Sequence, residues 1–145
     1  MSRSVLGRLT ALTLVAGAVC AVPLAPATAA PDGSGLVINE VYLNGGSAGA
    51  TYKNKFVELH NPTSQDISVD GWSVQYRAYN QTAGFSAVIA LGDHHVEPGG
   101  TLLVSGNANS TSGADLPTPD VESTVAFSGN ANGGTIALVR STTAL

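Results

Sequence analysis

The sequence predicts an all-β protein, a β-sandwich of about eight short antiparallel strands, and three observations carry that prediction. Beyond residue 30 no stretch shows the 3.6-residue apolar period of an amphipathic helix, whereas several short runs are rich in Val, Ile, Leu and aromatic residues. Gly, Pro, Asn or Asp bounds each run. Charged residues make up only 11% of the chain, and Gly, Ser, Thr, Asn and Ala fill the intervals, a composition that suits turns between strands. A sheet with one apolar face must bury it against a second sheet, so a sandwich is the natural closure.

The chain opens with a different kind of segment. Arg3 and Arg8 flank a short basic start, and residues 9–22 (LTALTLVAGAVCAV) form an apolar run of 14 residues. That length lies within the roughly 7 to 15 residues of a signal-peptide core and below the roughly 20 that a membrane span needs. Pro23 and Pro26 end the run, and Ala27-Thr28-Ala29 fits a small-x-small cleavage site. Residues 1–29 are therefore predicted to be a cleaved signal peptide, 30–35 a short linker, and 36–145 one folded domain, secreted and without a transmembrane span in its mature form. Cys20, the only cysteine, leaves with the signal peptide. The mature part keeps four basic and ten acidic residues, a formal charge of −6. Such a surface repels phosphate backbones, which argues against unaided nucleic-acid binding.

Within the domain, residues 36–43 (LVINEVYL) read as a first strand and the glycine-rich stretch 44–54 as a loop. In the second strand, 55–60, Val57 and Leu59 share a face. Asn61-Pro62 ends it, because proline lacks a ladder donor and restricts the residue before it. A short third strand, 65–69, turns Ile67 and Val69 inward, and Asp70-Gly71 makes a corner. Residues 72–77 alternate most cleanly: Trp72, Val74 and Tyr76 face the core, while Ser73, Gln75 and Arg77 face water. Residues 87–91, 101–105, 124–127 and 135–139 supply the other strands, with 92–97 a loop. The predicted core is thus Val57, Leu59, Ile67, Val69, Trp72 and Val74, and Asn61, Pro62, Asp70 and Gly71 set the turns. The pentapeptide SGNAN recurs at 105–109 and 128–132 as reused turn chemistry rather than a repeat.

Taken in order, Ile38-Asn39-Glu40-Val41, Lys55 through Pro62 (KFVELHNP), Gly71-Trp72, Val96-Glu97-Pro98-Gly99-Gly100 and the strand 136–139 resemble the lamin tail domain. The resemblance covers residues 36–145. It implies an immunoglobulin-like β-sandwich of the kind found at the end of nuclear lamins and in secreted bacterial proteins, often ahead of an extracellular nuclease or phosphoesterase domain. It also implies a further strand after 136–139, so the expectation is either a missing last strand or a fragment of a longer protein.

Several motifs invite a chemical reading. Gly45-Gly46-Ser47-Ala48-Gly49 is a literal G-x-S-x-G, with Asp93 and His94 downstream in hydrolase order, but the nucleophile elbow needs a strand-to-helix turn and no helix follows. Asp93, His94, His95 and Glu97 include metal-ligand types, yet adjacent histidines on extended chain point to opposite faces. Glu40 and Glu58 fall at equivalent places in strands expected to pair, where two carboxylates invite a cation or acid-base work; with no pocket-forming loop of further ligands, the expected role is structural, accepting hydrogen bonds from Lys53, Lys55 or loop amides. Calcium at the Asn-rich loops has only Asp115 and Asp120 as carboxylates, so no cofactor is expected, with calcium the one candidate. Lys53, Lys55 and Arg77 are the candidate basic binding spot, weighed against ordinary solvated strand edges. No residue set qualifies as catalytic or metal-binding. The expected function is a secreted, non-catalytic binding or docking module for a protein or cell-surface ligand, with recognition on loops 44–54 and 107–119. The alternative is an N-terminal accessory domain of an extracellular nuclease or phosphoesterase whose catalytic part lies beyond residue 145.

Overall fold

The computed structural model describes residues 32–127 and 133–145, and its regular structure there is entirely β. The predicted signal peptide and the second SGNAN copy lie outside the described residues. Eight strands follow in order: β1 (Val37–Tyr42), β2 (Phe56–His60), β3 (Ile67–Ser68), β4 (Ser73–Ala78), β5 (Ala87–Ala90), β6 (His95–Val96), β7 (Thr101–Ser105) and β8 (Gly134–Val139). They form one sheet ordered β1-β2-β7, a second ordered β5-β4-β8, and a small β3-β6 ladder, all antiparallel.

Alternation explains the core. Val57 and Leu59 of β2 pair across to Val104 and Leu102 of β7, so the four share one face. Val74 and Tyr76 of β4 pair with Ile89 and Ala87, and these residues join the first set in one buried apolar cluster. Of the predicted core, Val57, Leu59, Val69 and Val74 are completely buried, whereas Ile67 and Trp72 are half-buried against its rim. Trp72 lies just before β4, and the Arg140 guanidinium covers its ring at 4.7 Å from the centroid. The centre of the core belongs instead to Tyr76 and Phe127, whose rings meet edge to face at 6.2 Å.

Three expectations need correction. Ser73 and Gln75 do not face water; both are fully buried, because residues 141–145 return across that face of β4. The Ser73 hydroxyl donates to the Ser141 carbonyl at 2.6 Å, and the Gln75 amide donates to Thr143 O at 2.8 Å and accepts from Leu145 N at 3.0 Å. Residues 124–127 form no strand, although Phe127 is buried; the eighth strand is β6, a two-residue pairing within the stretch read as a loop. Two residues are too few for an alternation to be read. The Asp70-Gly71 turn is present, with Gly71 at φ +72° and Trp72 N donating to Val69 O at 2.9 Å. It carries the chain from one ladder into another sheet and closes no hairpin.

Candidate functional site

Two polar residues bracket β2, and both are buried. Asn61, just after the strand, is fully buried and uses its whole side chain: Nδ2 donates to Gln65 O and Val96 O, each at 2.7 Å, and Oδ1 accepts from Thr63 N at 3.0 Å and from the Thr63 hydroxyl at 2.7 Å. Its backbone bonds to Gly99 and Gly100. This end of the sandwich is a satisfied corner, with Pro62 exposed outside it.

Lys55, just before the strand, is 1% exposed, so the reading of a solvated strand edge is wrong for it. Its Nζ donates to Asn109 Oδ1 at 2.7 Å, with Asn107 Oδ1 at a longer 3.4 Å. Among the described residues no carboxylate lies within ion-pair distance of it. Burial among neutral oxygens disfavours the charged form and holds the lysine pKa below its ordinary value. The Asn-rich loop that suggested calcium thus turns two amide oxygens onto an internal ammonium.

Around this lysine the two predicted recognition loops close on each other. Gly46 bridges to Ser112 and Tyr52 to Ala114; Lys53 N donates to Ala114 O at 2.7 Å, and Ala114 N to Thr51 O at 2.9 Å. The Ser110 hydroxyl bonds to Gly46 O, and Asn109 N donates to Gly45 O at 3.1 Å. A Cβ at Gly45 would fall 2.3 Å from the Lys55 nitrogen, so this glycine is explained by backbone contact between loop and strand. Tyr42, Tyr52 and Phe56 brace the underside as three mutually packed rings, and the Tyr42 hydroxyl accepts from Thr51 N at 2.9 Å.

The remaining candidates fall apart into separate places. Ser47 Oγ accepts from Asn109 Nδ2 at 2.9 Å at the Lys55 end, whereas His94 O accepts from Val69 N beside β6, at the Asn61 end. Six residues of extended chain separate those ends, roughly 20 Å. Lys53 pairs with Asp115, and Arg77 lies over the Phe85 ring at 5.3 Å, so Lys53, Lys55 and Arg77 are engaged singly and form no common basic spot. The register sets Glu40 opposite Glu58 beside a bulge, and Glu58 accepts from Asn39 Nδ2 at 2.7 Å rather than from a lysine. His95 Nδ1 bonds to Asp66 Oδ2 at 2.8 Å on the surface, and His60 Nδ1 to Gly100 O at 3.0 Å. Asp120 Oδ2 accepts from Leu103 N at 2.7 Å. Among the described residues no three His, Cys, Asp or Glu side chains gather to hold a metal ion.

What the sequence did not reveal is an open cavity of about 640 Å³ beside the joined loops, lined by Asn54, Ser105 and residues between Asp115 and Thr124. Its residues are dispersed over seventy positions, and only the repeated asparagines hinted that this end was special.

Two packed antiparallel sheets with a short side ladder, and loops closing on one another at one end, define an immunoglobulin-like β-sandwich. The comparison with protein families agrees: the Lamin Tail Domain model matches residues 29–145, and the chain belongs to that family. No curated protein matches the chain. Among the described residues no helix is long and apolar enough to cross a membrane.

Proposed function

We propose that this protein is an exported, non-catalytic docking module whose recognition surface is the joined pair of loops at 44–54 and 107–119. One observation carries the reading: loops some sixty residues apart in sequence are zipped by backbone bonds and anchored on the buried Lys55. A surface ordered before binding loses little entropy on association, which is what a docking face requires. The separation of Ser47 from Asp93 and His94 supports the non-catalytic part, and the apolar run at 9–22 supports export. The ligand is a protein or cell-surface component outside the chain.

The test uses labelled protein and isolated cell envelopes of a producing host. Shortening both loops to glycine links, in a variant that keeps its melting temperature within a few degrees, is expected to abolish envelope retention. Full retention by that folded variant would defeat the reading.

A further inference from the structure

We propose that the cavity beside the joined loops is a docking groove for an arginine side chain presented by an extended segment of a protein partner. This rests on the docking reading and gives it a ligand chemistry. Ser105 is the first reason. It is only 5% exposed and lines the groove, yet its hydroxyl has no hydrogen-bond partner among the described residues. Among the described residues no buried side-chain nitrogen or oxygen lacks a partner, so this unpaired hydroxyl is one accessible from the groove, where a ligand donor or acceptor can serve as its partner.

Charge gives the second reason. Asp115 and Glu122 both line the groove. Asp115 bonds Lys53 through Oδ1, which leaves Oδ2 open, and Glu122 has no ion-pair partner among the described residues. Asn54 donates its amide to Gly106 O at 3.0 Å, so its side-chain oxygen is also an acceptor on the groove wall. Acceptors spread around a pocket match the planar fork of five donors on a guanidinium better than the compact ammonium of lysine.

The apolar lining completes the match. Leu116 and Pro119 offer a surface for the methylene stem of a long basic side chain. Among the described residues no aromatic ring lines the groove to stack against a sugar face. The mature charge of −6 steers cationic partners toward the domain.

A titration of the isotope-labelled protein, as recovered from an expressing culture, with N-acetyl-arginine methylamide tests this by amide chemical shifts. Saturable shifts are expected at 54, 105 and 115–124, with a much weaker response to the isosteric, uncharged citrulline compound. Glu122→Gln, an exposed change that spares the fold, should weaken binding at least threefold. Glu97→Gln, which alters net charge equally outside the groove, should not. Shifts scattered over all the carboxylates, an equal response to citrulline, or indifference to Glu122→Gln would each overturn the proposal. Saturable shifts at these amides with calcium chloride and none with the arginine compound would overturn it in favour of a metal site. If the arginine compound fails while loop shortening still abolishes envelope retention, this inference falls and the docking reading stands.

Discussion

The two ends of β2 solve the same problem in opposite ways. Each end buries a polar side chain where the strand gives way to loop, but Asn61 is neutral and has all its hydrogen bonds made, whereas Lys55 is a base held by one short and one long contact to amide oxygens. The Asn61 side chain has no donor or acceptor left to offer a ligand. At the Lys55 end an unpaired hydroxyl, open carboxylate oxygens and a cavity remain. The difference teaches that closing a sandwich corner and keeping a surface able to bind are competing uses of buried polar groups.

The largest expected effect comes from breaking the satisfied end. Asn61→Ala removes the amide donor to the carbonyls of Gln65 and Val96 and the acceptor of Thr63 N and the Thr63 hydroxyl, while the backbone bonds to Gly99 and Gly100 stay. An unsatisfied buried group costs about 1–3 kcal/mol, so a total near 3 kcal/mol is expected, with a fall of roughly 15 °C in melting temperature by calorimetry. A loss under 1 kcal/mol would mean that this amide does not hold the corner.

Trp72 sharpens the same point from the apolar side. The alternation of 72–77 marks it for the core, and a fully buried tryptophan costs about 3–5 kcal/mol on truncation to alanine. Its ring is half-buried and capped by Arg140, so Trp72→Ala is expected to cost about 1–2 kcal/mol, measured by far-UV circular dichroism in urea. A loss above 3 kcal/mol would restore the tryptophan as the keystone of that end and demote Asn61.

The strand runs, the Asn61-Pro62 and Asp70-Gly71 corners and the inward Val57, Leu59, Val69 and Val74 were legible because a two-residue period and turn chemistry are local properties. Burial of polar residues was not. Ser73 and Gln75 read as a solvent face until residues 141–145 cross them, and no local pattern announces a segment arriving from nearly seventy positions away. Lys55 is hidden for the same reason, since its partners Asn107 and Asn109 lie on another loop. The site was half legible: both loops are marked by glycine and asparagine, but their joining and the groove beside them depend on long-range pairing.

The smallest effect, and the one most specific to the Lys55 end, is that of Lys55→Met. The change removes a buried charge while stranding the Asn107 and Asn109 oxygens. These consequences oppose one another, so stability at pH 7 is expected to change by no more than about 1 kcal/mol. The pH dependence separates them. Burial depresses the lysine pKa in the folded state, whereas the unfolded chain keeps an ordinary value near 10.4. Between those two values the unfolded chain binds more protons, so wild-type stability gains from Lys55 as pH rises through the folded pKa toward the unfolded one. That gain is lost as pH falls back through the folded pKa. The free-energy difference between wild type and Lys55→Met, read from urea titrations at pH 7 to 10.5, should therefore move in favour of the wild type. Because Asn61 carries no proton in this range, Asn61→Ala should stay at a constant offset from wild type over the same series. A flat difference for Lys55→Met would place its ammonium in contact with water and erase the contrast between the two ends.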